Sequence, residues 1–169
     1  MRRTLTVATA AFLVAGLSAC SSKSPTSTDN AAKATTAKTA ITASSALTQI
    51  VQKVTTAKAS GTVTAAGDPN HLLGRPGQYT SKTTFTDTRV KASDVVGAEK
   101  GAVELGGAIE VFDSESDAQA RAKYIQTVTK SLPALAEYDY VDGVLLVRVS
   151  HYLTPAQAAE YKTATSSLG

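Results

Sequence analysis

The run E-Y-D-Y-V-D-G-V-L-L-V-R-V at residues 137–149 leaves the chain few choices. Asp142-Gly143 sits between two apolar/polar alternations, the strongest short-range signal for a β-hairpin closed by a two-residue type I′ turn. With Asp142 and Gly143 as the loop, Val141 lies opposite Val144, Tyr140 opposite Leu145, Tyr138 opposite Val147, and Glu137 opposite Arg148. One face then carries Tyr138, Tyr140, Leu145, Val147 and Val149; the other carries Glu137, Asp139, Val141, Val144, Leu146 and Arg148. The tyrosine face is the one expected under helices. Glu137 and Arg148 are expected to form a cross-strand ion pair worth roughly 0.2–1 kcal/mol.

Around this hairpin the periodicity changes several times. Leu47, Ile50, Val51 and Val54 recur at helical spacing, so residues 46–58 read as an amphipathic helix ended by Ser60-Gly61. Residues 83–90 and 102–112 read as extended segments, with Val103, Leu105, Ile109 and Val111 on one face and Glu104 and Glu110 on the other. Gly106-Gly107 inside the second implies a bulge, a bend or a close approach of another backbone. Ser114 and Asp117 have the spacing of a capping box, followed by the stripe Ala118, Ala122, Ile125, Val128 and a stop before Pro133. Thr154-Pro155-Ala156-Gln157 opens a last helix whose inner side is Ala158, Tyr161, Thr165 and Leu168. The expected fold is α+β: a four-stranded antiparallel sheet in ββαββα order, helices on one face, preceded by the amphipathic helix.

The N-terminus has a different character. Arg2 and Arg3 precede an apolar stretch at residues 5–17, followed by the small residues Ser18-Ala19, the layout of a secretory signal. The stretch is short for a membrane span and ends at once in Ser21-Ser22-Lys23. Cys20 is the only cysteine in the chain, which excludes an internal disulfide and leaves the folded part to stand on its core. Leu17-Ser18-Ala19-Cys20 resembles the lipobox of bacterial lipoproteins. That resemblance implies cleavage between Ala19 and Cys20, diacylglyceryl modification of the Cys20 thiol with further acylation such as palmitate, and attachment to the extracytoplasmic face of the cell membrane. Two or more long chains hold a protein stably on a bilayer, at about 0.8 kcal/mol per buried methylene.

The 17 basic side chains less Arg2 and Arg3 leave 15 against 14 acidic ones. A chain so nearly neutral has no basic patch for nucleic acid, and export argues against that partner too. Residues 21–45 hold six Ser, six Thr and six Ala, a composition that buries too little apolar area to offset ordering the backbone. The expected organisation is therefore a signal peptide at 1–19, lipidated Cys20 and a disordered tether at 20–45, and one α+β domain at 46–169.

The densest turn chemistry is D-P-N-H-L-L-G-R-P-G-Q-Y-T at residues 68–80, where prolines fix φ and glycines supply positive φ. Asp68, His71, Arg75 and Tyr79 are the polar side chains this loop offers a ligand; the competing reading is a structural turn capped by its own polar groups. His71 and His151 are the only histidines, with no second metal-ligand signature beside them, so neither a metal nor another cofactor is expected. No nucleophile elbow or phosphate loop accompanies them. H-L-L-G-R-P-G-Q-Y-T-S-K, G-G-A-I-E-V-F and A-E-Y-D-Y-V-D-G-V-L-L-V-R-V-S resemble lipoproteins of actinobacteria and their phages, a likeness that implies no activity and no catalytic residue. The expected function is a noncatalytic, membrane-anchored envelope module that binds a protein or wall component. The alternatives are a small envelope hydrolase using the 68–79 loop, and a prophage lipoprotein that excludes related phages at the surface.

Overall fold

The computed structural model describes residues 40–168; the signal segment, the Ala19/Cys20 junction and the tether up to residue 39 lie outside them. Helix α1 (Ala43–Lys53) starts earlier than its apolar stripe suggests. Thr42 caps it through its hydroxyl, which accepts from the Ser45 N–H, while the Ser45 hydroxyl accepts from the Thr42 N–H. Residues 42–45, expected in the tether, are thus the cap and first turn of the domain. The helix ends at Lys53 rather than Lys58, because Ala57 belongs to a strand, β1 (Ala57–Thr62). Ala57 is buried ten positions after Leu47, so it extends the helical spacing by coincidence.

β1 pairs with β2 (Ser81–Asp87), β2 with β3 (Gly106–Val111), and β3 with β5 (Leu145–Ser150), which pairs with β4 (Glu137–Asp142), all antiparallel. The α+β class holds, with five strands in the order β1-β2-β3-β5-β4 instead of four. Val103–Leu105, expected as strand, forms a 3-10 turn that leads into β3. Helix α2 (Glu115–Ser131) links β3 to β4, and helix α3 (Pro155–Thr165) follows β5.

The helices do not share one face. α1 and α3 cover the side of the sheet that carries Phe85, Ile109, Val147 and Val149, with Tyr138 and Tyr140 packed against it. The tyrosine face is under helices, as its sequence suggests. α2 covers the opposite side, packing Ala118, Ala122 and Ile125 with Leu146, Phe112 and Tyr79. The reason lies in the connectivity: β3 and β4 run the same way with β5 between them, so α2 is a crossover that must lie over one face of the sheet. All six β3 residues are consequently buried.

The hairpin differs from expectation by one step. Asp142 pairs with Leu145, so Gly143-Val144 is the two-residue loop, with φ +53 at Gly143 and glycine at the first loop position as in a type II′ turn. Tyr138 faces Val149, Tyr140 faces Val147 and Asp139 faces Arg148. Each partner moves by two residues, which preserves parity and leaves both faces unchanged. Glu137 opposes Ser150, and its ion pair with Arg148 is a diagonal one.

The two helix caps agree with their sequences in different degrees. Thr154 and Gln157 form a complete capping box at α3. At α2 the Ser114 hydroxyl accepts from the Asp117 N–H and itself donates to the Asp117 carboxylate at 2.6 Å. Asp117 therefore reaches the Ser114 side chain and not its backbone N–H.

Candidate functional site

In the 68–79 loop the chain folds around Asp68. Its Oδ2 accepts from the N–H groups of Leu72 (2.8 Å) and Leu73 (3.0 Å) and from the Tyr79 hydroxyl (2.6 Å). Both Asp68 and Tyr79 are fully buried. Burial alone would raise the Asp68 carboxyl, but the Tyr79 hydroxyl, the two backbone donors and the Lys82 charge hold it down at about 2. Burial and the bond to Asp68 push the Tyr79 phenol up. The structure thus turns two of the four candidate ligand groups inward as the capping elements of the loop. His71, at φ +53, and Arg75 remain exposed on its surface, so the four are not brought together.

The neighbouring face of the sheet holds what the sequence conceals. Glu110 on β3 is completely buried, and three cations surround it: Lys82 from β2 at 3.4 Å, Arg121 from α2 at 3.2 Å and Arg148 from β5 at 3.1 Å. Burial works against ionisation of Glu110, yet the charges of Arg148, Arg121 and Lys82 outweigh it and hold the carboxyl below its usual range. Arg148 also gives Nε and Nη2 to Glu137 at 2.8 and 2.9 Å, a bidentate pair. Lys82 extends the chain of charges to Asp68 at 3.7 Å and stands over the Tyr79 ring, 5.0 Å from its centroid.

A cleft of about 360 Å³ opens onto this network between the C-terminal half of α2 and residues 101–104. Its lining combines the charged Lys82, Glu104, Arg121, Glu137 and Arg148 with the apolar Ile125, Val128 and Leu135. Arg121 and Tyr124 separate it from a second hollow of about 470 Å³ beside the 68–79 loop. The guanidinium of Arg121 lies 5.7 Å from the centroid of Tyr124, whose ring is 62 % exposed.

Beyond the Glu137–Arg148 pair, the residues of this cleft escape sequence reading because each, taken alone, looks like a solvated charge. The signal that locates them is the register: Lys82 pairs with Glu110, and Glu110 with Leu146, which places Arg148 diagonally next to Glu110. α2 closes that face and adds Arg121. His71 and His151 take no part, the His151 ring packing on Tyr152 at 4.1 Å. Among the described residues no group of three or more His, Cys, Asp or Glu could hold a metal ion, and no helix is long and apolar enough to cross a membrane. No protein-family model, no curated protein and no solved structure matches the chain.

Proposed function

We propose that the chain is a lipid-anchored envelope protein whose folded domain acts by binding rather than by catalysis. The anchor rests on Leu17-Ser18-Ala19-Cys20 and on the Ser/Thr/Ala-rich tether that follows it. The binding role rests on one observation: the acids and bases of the cleft neutralise one another. Glu110 is surrounded by Lys82, Arg121 and Arg148, and Arg148 is clamped by Glu137. A general base or a nucleophile needs a poised partner of its own, whereas a fixed pattern of charge suits recognition. In the 68–79 loop Asp68 and Tyr79 are likewise committed to each other.

Fractionation of cells that produce the wild-type chain and Cys20→Ser tests the anchor. The wild type pellets with membranes and carries a lipid mass at its N-terminus; the variant is released in soluble form. A variant that pellets equally, or a bare N-terminus on the wild type, removes the anchor. Turnover in a screen of ester, peptide and glycoside substrates removes the noncatalytic role.

A further inference from the structure

The cations of the cleft keep hydrogen-bonding capacity in reserve. Arg121 is 10 % exposed and uses only its Nε, on Glu110. Its two terminal amino groups have no hydrogen-bond partner among the described residues. Lys82 is 7 % exposed, and its ammonium makes its ion pairs at 3.4 and 3.7 Å without a hydrogen bond to either carboxylate. Both line the same cleft as Ile125, Val128 and Leu135. Their free nitrogens are not among the fully buried atoms that lack a partner; they reach the solvent of the cleft, where an acceptor from a ligand can replace water.

We propose that this cleft recognises an amphipathic carboxylate, its acid group on the terminal amino groups of Arg121 and the ammonium of Lys82, its apolar body along Ile125, Val128 and Leu135. The chemistry follows from the parts. A planar guanidinium with two parallel donors left open matches a carboxylate edge, and the lysine adds a point charge beside it. Glu110 pairs with both cations, Glu137 pairs with Arg148 and Glu104 lines the same cleft, so together they oppose a multiply charged anion such as phosphate more than a monoanion. A wall of three apolar side chains favours an organic acid over an inorganic one, and the volume is in the range of small-ligand sites. Stacking on Tyr124 supports the Arg121 fork from one side.

The carboxylate has two sources, a free organic acid or the C-terminus of a peptide. The inference rests on the binding role proposed above; the substrate screen reads turnover and the titration reads binding, so either idea can fail without the other.

The test is an NMR titration of residues 20–169 carrying Cys20→Ser, following backbone amides. The probes are hexanoate, hexanol, the peptide Ala-Ala-Ala-Leu with a free or an amidated C-terminus, and inorganic phosphate. Saturable shifts centred on Lys82 and Arg121 are expected with the two acids, and none with hexanol or the amide. Tighter binding of the free-ended peptide than of hexanoate assigns a chain end, and the reverse order a small acid. Arg121→Gln should weaken the acids about tenfold by removing the fork. Leu135→Glu, at a rim position 47 % exposed and outside the ion network, should weaken them as well without loss of fold. The proposal is overturned if neither acid saturates, if the amide or hexanol shifts the same amides equally, if phosphate binds more tightly, or if both variants bind as the wild type does.

Discussion

Asp139 stands directly opposite Arg148 on the β4–β5 ladder and receives none of its hydrogen bonds. Arg148 directs Nε and Nη2 to Glu137 and Nη1 to Glu110. Both carboxylate oxygens of Asp139 are buried without a donor. Burial, and then the charge of Glu137, push the Asp139 carboxyl up to about 8, with Arg148 opposing and Glu110 adding to the rise. The Asp139 carboxyl is therefore held toward its protonated form at neutral pH, beside the Glu137 carboxylate. With Asp139 neutral, the three cations Lys82, Arg121 and Arg148 balance Asp68, Glu110 and Glu137.

Asp139 makes stability fall as pH rises from about 4 to about 8. A carboxyl whose folded pKa is raised contributes fully below its unfolded value, near 4, and loses that contribution as pH climbs through about 8. Asp139→Asn keeps a donor toward Glu137 and cannot ionise. It should flatten the pH profile and leave the variant more stable than wild type by roughly 1–3 kcal/mol at about pH 9, with little difference near pH 5. Urea denaturation at the two pH values reads both numbers.

On the acid side Asp68 works in the opposite sense. Its folded value of about 2 lies below its unfolded one, so its contribution is present above about pH 4 and is lost as pH falls toward 2. Asp68→Ala strands the buried Tyr79 hydroxyl and the N–H groups of Asn70, Leu72 and Leu73 and should cost on the order of 3 kcal/mol; Tyr79→Phe removes one bond and should cost about 1 kcal/mol. His71→Ala and Arg75→Ala, on the exposed surface of the same loop, should stay within roughly half a kcal/mol of wild type. Parallel thermal and urea melts rank the four.

Removal of the central carboxylate tests the ion network. Glu110→Gln leaves Lys82, Arg121 and Arg148 facing one another with less compensation and should destabilise by about 3–5 kcal/mol, the range for breaking a buried pair. Added salt should recover part of the loss by screening the repulsion. Denaturation at low and high sodium chloride shows whether the variant gains more from salt than the wild type.

Gly106 and Gly107 are adjacent positions where a side chain cannot fit; at Gly107 the obstacle includes a side chain. A Cβ there would overlap the ring of Phe85 and the carbonyl of Arg148, the strands on either side. Gly107→Ala should therefore cost more than 2 kcal/mol, about the upper end of overpacking penalties, and broaden the NMR lines of β2 and β5. Gly143→Ala, at φ +53 with open space around it, should cost less, roughly 1 kcal/mol of backbone strain. A melt of each variant ranks them.

What could be read in advance was local. The caps at Ser114 and Thr154, the stripe of α2 and both faces of the hairpin follow from spacing, and the hairpin faces withstand an error in the turn because parity decides them. β1 is not local: A-K-A-S-G-T has little strand propensity and becomes a strand because β2 pairs with it. The side of the sheet covered by α2 depends on β5 lying between β3 and β4, a fact of topology. The cleft depends in turn on that covering. Lys82 and Glu110 become partners only across a strand pairing, and Arg121 joins them only once α2 lies over the sheet. The 68–79 loop was legible as a rigid turn; which of its polar groups face inward was decided by the depth at which Asp68 and Tyr79 sit.

The two sides of the sheet differ in make-up: the larger hydrocarbon layer lies beneath α1 and α3, and beneath α2 a smaller one adjoins the ionised layer around Glu110. Cooling weakens the hydrocarbon layer, whereas warming lowers the cost of stripping water from charges. The hydrocarbon layer is accordingly the first to loosen in the cold, and the ionised layer gains relative weight in the heat.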